Sequence, residues 1–596
     1  MITLDTCFII KCYKKQHSLS LKRLKQIHQD VSIFSVSFSI IILFIFLLRP
    51  LPIFANDLQG TRIIQQALEE EMDRSLNDLK LDIFGPPYFL SYQVKDYQKV
   101  KINATYGAIL KSDNNRFRNL FVEARVGDYK SDSAPTDLAY SGSANYVPLP
   151  IENDLGALKR AIWLATDRIY KVTALNYLRK KGRNIQRVDL ETIDDFTGGE
   201  KNIYEETVNE NDTFSEHIPQ WQNLVRKASA LFKGQKEIIS SRVDFSAQKT
   251  IRIYLNSEKT EIVDQSTMFG ITISARSKSE DGMDLFDRNT ISFKNLNDFP
   301  SEKLLREKVF ALIQSLTQLK QSKVIEPYVG PVILEPDAAG VLFHEAIGHR
   351  LEGERLRSER EGKTFKEKID KLILPDFINI FDDPTEKRFN DTDMYGAYHY
   401  DDEGQKAQKV VLVENGILKN FLMSRVPIKN LSRSNGHGRS DGMRDPIARM
   451  GNLIVKSNNE VSQEKLKEML LEESKKQNKP YGLIIKKITG GETNTSRYNF
   501  QVFKGTPVYI YKVYVEDGRE EMVRGAEFVG TPLASINKIM ATGNDYKVFN
   551  GFCGAESGYV PVSSVAPSVL LSEIEFQRKA SIKSKPPILR PPDMQE

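Results

Sequence analysis

The chain has 596 residues, 27% charged and 40% hydrophobic, which excludes a fibrous or wholly disordered protein and gives material for more than one domain. Its small positive balance, 84 Lys+Arg against 79 Asp+Glu, comes from the first 55 residues, which hold seven of the basic and two of the acidic groups. What remains is even, 77 against 77, so charge gives no case for nucleic acid as a partner.

Residues 1–55 read as a targeting segment. A basic stretch with Lys11, Lys14, Lys15, Lys22, Arg23 and Lys25 precedes the apolar run SIFSVSFSIIILFIFLL, and Ala55 is a plausible cleavage position. The run is also long enough to stay as an anchor over residues 31–48. The expectation is an exported chain, periplasmic or extracellular, with that segment either cleaved or retained in a membrane. Beyond residue 55 only Cys553 remains, since Cys7 and Cys12 lie in the leader. A lone cysteine in an oxidising compartment is either a small buried core residue or a thiolate bound to something.

Residues 62–82 have apolar positions at helical spacing. Between 88 and 128, YFLSYQV, ATYGAIL and NLFVEARVGDY alternate as strands. A long helix follows, capped by Asn153 and ending at Gly182. These segments make an N-terminal α+β domain, 56–182. Residues 183–220 are polar and acidic, a loop or linker. Short strands fill 236–298, and a helix capped by Ser301 follows Pro300. This middle region spans 183–324. A strand, PYVGPVILEP, then leads directly into the helical stretch AAGVLFHEAIGH. After residue 370 the pattern is mostly β, with hairpins turning at Asn415-Gly416 and Asp517-Gly518 and one helix, QEKLKEMLLEES. Residues 325–576 therefore form a β-rich C-terminal domain, and the Pro- and Lys-rich 577–596 a disordered tail. The fold class expected is α+β, an N-terminal α/β domain followed by a β-rich domain that carries the histidine helix.

His344, Glu345 and His349 have the shape of a zinc-peptidase motif with one residue too many. Four residues along an α-helix turn about 400°, leaving two rings about 40° apart, whereas five leave them about 140° apart. If both rings serve one ion, the helix must bulge or end near Gly348, where glycine permits irregular backbone. The plain alternative is a surface helix with incidental histidines. A catalytic zinc site needs three protein ligands and an open position. Asp, Glu, His or Cys could fill the third place, and Cys553, flanked by Gly551 and Gly554, is the candidate hardest to explain otherwise.

HEAIGHRLEGE, YDDEGQ, VENG, RDPIARMGN, ITGGE, VRGAEFVGTP and FCGAESGYVPVSSVAPSVLL, in this order from about residue 325 to 575, resemble the TldD/PmbA metallopeptidases. The resemblance implies a zinc enzyme with His344, His349 and Cys553 as ligands and Glu345 as acid/base. It implies an active, TldD-like subunit that pairs with itself or with a homologue. The β-rich half suits an extended peptide added as a strand, hence unfolded substrates. His437 and His399 are candidates for the oxyanion donor, although their polar, glycine-rich surroundings equally fit surface loops. Arg433, Arg439 and Arg449 are candidates for substrate carboxylate or carbonyl contacts, with structural ion pairs the plainer reading. Two rivals stand beside a peptidase. One is a non-catalytic peptide-binding subunit of such a complex, and the other is a structural zinc site in an interaction protein.

Overall fold

Alternation over residues 89–125 produces one long antiparallel hairpin, Phe89–Thr105 with Ala108–Arg125, turned by Tyr106 and Gly107 at positive φ. The outer edge of Phe89–Thr105 pairs with Ser240–Asn256, which pairs with Glu261–Lys278 and through it with Asp284–Phe293. Strands from either side of residue 182 thus share one seven-stranded sheet. The computed structural model describes residues 60–81, 84–134, 145–184, 193–211, 213–358, 361–493, 503–528 and 532–579, with 587 and 589.

Side chains alternate between the faces of a strand, so even-numbered residues of Phe89–Thr105 share one face. Leu90, Tyr92 and Val94 pack beneath helices Gly60–Asp78 and Leu155–Asn184. Val100, Ile102 and Ala104, at the other end of the same face, pack with helices Ile218–Ala230 and Glu302–Gln321. The odd-numbered face meets the C-terminal half, where Gln93 and Lys95 donate to Asp402 and Tyr97 to the Asp441 carbonyl.

That half is built on two sheets. A nine-stranded sheet includes Tyr328–Leu334, Tyr481–Thr493, Phe503–Tyr514 and Val569–Arg578. A six-stranded sheet includes Ile378–Asp382, Asn452–Ser457 and the hairpin Lys547–Ala555/Gly558–Ala566. Helix Pro336–Ala346 packs against strands of both, and nearly all its residues are buried. The architecture is the α+β one expected.

Several local expectations need correction. The long helix begins at Leu155 with Asp154, not Asn153, as its cap: the Asp154 carboxylate accepts the Ala157 N–H at 2.7 Å. It runs past Gly182 to Asn184. The polar stretch 183–220 contains a short strand, Ile203–Glu205, paired with Glu261–Lys278. Ser301 does cap its helix, accepting from the Leu304 N–H. The expectation of an exported chain is corrected only so far: no helix among the described residues is long and apolar enough to cross a membrane. Residues 31–48, Cys7 and Cys12 themselves lie outside the described residues, as does the tail beyond 579 save for two positions.

Candidate metal centre

Strand Tyr328–Leu334 feeds the helix through Glu335, and Pro336 takes the first helical position, where its missing N–H is no loss. The α-helix stops at Ala346. Ile347 departs to φ −113°, and a 3₁₀ turn, Gly348–Leu351, follows. This break answers the five-residue spacing. It swings His349 back beside His344, with ring centroids 5.0 Å apart and planes at 86°. Gly348 does not supply a left-handed φ; its value is space, since a Cβ there would lie 2.0 Å from the Met450 sulfur.

Arg350 fastens the break. Its Nη1 donates to the carbonyls of Glu345 (2.9 Å) and Ala346 (3.1 Å). Those are the carbonyls that a continuing helix would have bonded to residues 349 and 350. Among the described residues its Nε and Nη2 are buried without a hydrogen-bond partner, and burial pushes Arg350 down to about 10.

Cys553 arrives from the hairpin Lys547–Ala555/Gly558–Ala566, 204 residues after His349. Its Sγ lies 3.3 Å from His344 Nε2 and 3.4 Å from His349 Nε2. All three side chains are buried, and their donor atoms lie within 4.8 Å of one another. Tetrahedral zinc with ordinary Zn–S and Zn–N lengths would set sulfur and nitrogen about 3.5 Å apart. The sulfur–nitrogen spacing therefore fits zinc, as does the mix of one thiolate and two imidazoles. Three protein donors leave a fourth position for a substrate or water.

The electrostatics favour a deprotonated sulfur. Burial alone would raise the Cys553 thiol, but His349 and His344 outweigh it and hold the thiol well below its ordinary value. Burial alone would lower His349, yet Glu352 and Cys553 raise it strongly. Glu352 matters further. Its carboxylate faces His349 Nδ1 at 3.1 and 3.2 Å, leaving Nε2 for the centre. Arg355 Nε donates to the same carboxylate at 2.7 Å, and Arg449 Nε lies 3.5 Å away. Sequence reasoning did not find Glu352, although its i+3 offset from His349 is a detectable signal. Ser564 Oγ lies 3.4 Å from the outer nitrogen of His344.

Glu345 is brought to the centre, with a carboxylate oxygen 3.9 Å from His349 Nε2. The two candidates for substrate contact, His437 and Arg449, are both buried and engaged internally. His437 is fully buried, with Nε2 at 3.2 Å from Asp382 and Nδ1 at 3.0 Å from the Asn435 carbonyl. Arg449 is fully buried too, donating to the Cys553 carbonyl at 2.8 Å, to Ser557 and to the Gly558 carbonyl. It holds the cysteine hairpin in place. His399 is exposed beside Tyr204.

The profile of the PmbA/TldA metallopeptidase C-terminal domain matches residues 327–578. A relative named metalloprotease MJ0996, from Methanocaldococcus jannaschii, is 29% identical over 331 residues, 55% of this chain and 67% of its own length. A zinc metalloprotease TldD homolog from Saccharolobus solfataricus is 29% identical over 277 residues, 45% of this chain and 57% of its own. Among solved structures, TldE from Thermococcus kodakarensis superposes with a TM-score of 0.57 at 14% identity, covering 86% of this chain and all of that one. At that identity the likeness speaks for the fold alone.

Proposed function

We propose that this chain, which belongs to the TldD/PmbA family, is a zinc-dependent peptidase acting on unfolded peptides. The observation that carries the reading is the convergence of His344, His349 and Cys553 within 4.8 Å, with Glu345 beside them. Zinc held there supplies Lewis acidity for a peptide carbonyl and for the acidity of water. Glu345 has an oxygen close to the centre but is not counted among its ligands, so it is placed to take a proton from the attacking water. The same carboxyl then hands that proton to the departing amine. Glu352 orients His349, and Arg449 fixes the strand that carries Cys553. The relatives' names support peptide cleavage in general terms; zinc, the role of Glu345 and pairing with a family homologue belong to this proposal.

Cleavage of an unstructured fluorogenic peptide by the full chain, with and without a chelator, tests the reading. Glu345→Gln should keep its metal, measured by elemental analysis, while the rate falls by about 10²–10⁴. Normal cleavage by that variant would remove Glu345 from the chemistry. Loss of metal along with activity would make it a ligand instead. A metal-loaded parent that cleaves nothing, alone or with a family homologue added, would favour the peptide-binding subunit.

A further inference from the structure

The three donors of the metal centre are not held alike. His344 belongs to helix Pro336–Ala346, which packs directly on both strands of the cysteine hairpin. His349 lies past the helix break, on the 3₁₀ turn Gly348–Leu351. Cys553 is 204 residues further along the chain. The distance between His349 and Cys553 therefore depends on side chains that bridge the turn and the hairpin.

Two arginines reach both. Arg449 bonds the hairpin through the Cys553 carbonyl, the Ser557 hydroxyl and the Gly558 carbonyl. On the histidine side its Nε stands 3.5 Å from Glu352 and has no hydrogen-bond partner among the described residues. Arg355 is bonded on both sides. Its Nε donates at 2.7 Å to Glu352, the carboxylate that faces His349 Nδ1. Its Nη1 and Nη2 donate to the two oxygens of Glu556, at 3.2 and 3.1 Å. Glu556 sits in the turn of the cysteine hairpin, just beyond Cys553. Two parallel bonds from one guanidinium fix the orientation of a carboxylate as well as its distance, which a lysine ammonium does not do. Glu361 faces the same guanidinium at 3.6 Å. Arg355 is 6% exposed and Glu352 1%, so solvent does little to weaken these bonds.

We infer that Arg355 is a positioning residue of the metal centre: it locks the turn that carries His349, through Glu352, to the hairpin that carries Cys553, through Glu556. It touches no reacting atom. The inference rests on the metal reading of the centre and is independent of peptide cleavage.

The test loads cobalt(II) into the full chain as a coloured stand-in for zinc. The parent should show a near-ultraviolet sulfur-to-cobalt band and the strong visible bands of a four-coordinate ion. In Arg355→Met and in Glu556→Ala the sulfur band should stay, because Arg449 still holds the cysteine strand. The visible bands should weaken as His349 gives way to water and the coordination number rises. Zinc affinity, by chelator competition, should fall about 10–100-fold in each. Arg355→Lys should not restore it. The double variant should bind no more weakly than the weaker single one, because the pair acts as one tie. Glu556 is 27% exposed in its side chain, so Glu556→Ala carries the test if Arg355→Met does not fold. Parent-like spectra and affinity in folded Glu556→Ala would overturn the tie, and so would losses that add in the double variant. A parent that takes up neither cobalt nor zinc would remove the metal centre itself, and this inference with it.

Discussion

Glu352 is nearly inaccessible, 1% exposed, yet it keeps its charge. Burial alone would raise its carboxyl, but His349 and Arg355 hold it well below the usual carboxylate range. A carboxylate behind a ligating imidazole fixes the tautomer and makes the ring a stronger donor. Glu352→Gln keeps the shape and removes the charge that faces His349, Arg355 and Arg449. Zinc affinity, measured by competition with a chromogenic chelator, should fall about 10–100-fold. An unchanged affinity would reduce Glu352 to a packing residue. At this scale the sequence was legible in part. The histidine spacing and the lone cysteine pointed to one centre, and the three side chains do meet. For His437 the polar, glycine-rich GHGRSDG fitted a surface loop as well as a site, and for Arg449 a structural ion pair was the plainer reading. In the fold both side chains are fully buried, and the polarity that suggested solvent is consumed internally by Asp382 and by the carbonyls of the cysteine hairpin.

The histidine helix depends on where it ends. Counting residues showed that a regular helix through His349 could not aim both rings at one ion, so an irregularity near Gly348 was predictable. Its cause was not. The reason is tertiary: Met450 and Leu453 press on Gly348, and Arg350 bonds the freed carbonyls of Glu345 and Ala346. Arg350→Ala should strip both carbonyls of this donor at about 1–3 kcal/mol for a buried group left unsatisfied. The helix end would loosen and zinc affinity would drop. Millimolar guanidinium should restore part of that affinity, because the small cation can reoccupy the space. Chelator competition with and without guanidinium checks this. Full affinity in Arg350→Ala would mean that core packing alone sets the break. Elements elsewhere were read well where a local signal governed, as at Ser301, and missed by a residue or two at the long helix, where Asn153 and Asp154 offer rival caps.

YDDEGQ is one of the motifs that carry the family resemblance, and in the whole molecule it is a clamp between layers. Arg252 donates to the carbonyls of Asp401 (2.8 Å) and Tyr400 (3.0 Å), the Tyr254 hydroxyl donates to the Glu403 carbonyl, and Lys95 pairs with Asp402 at 2.9 Å. Motif order could not reveal this, because the partners lie 148 residues or more away in sequence. The clamp makes stability depend on pH. Burial pushes Asp401 up to about 6, and burial together with Asp401 carries Glu403 well above its ordinary 4.5. Both carboxyls keep protons in the fold that the unfolded chain releases, so their stabilisation is complete below the unfolded values and is lost as pH rises through about 6 and beyond. Asp402 runs the other way. Burial would raise it, but Lys95 and Arg252 hold it at about 2, so its contribution is present above 3.8 and disappears as pH falls towards 2. The melting temperature of the chain should therefore decline between roughly pH 5 and 8. Glu403→Gln mimics the protonated acid and can still accept the Arg425 N–H that bonds Glu403 Oε2 at 2.8 Å. The variant should melt close to the parent near pH 5 and hold its melting temperature better towards pH 8. A slope identical to the parent's would show that Glu403 is ionised in the fold and that the pH dependence arises elsewhere.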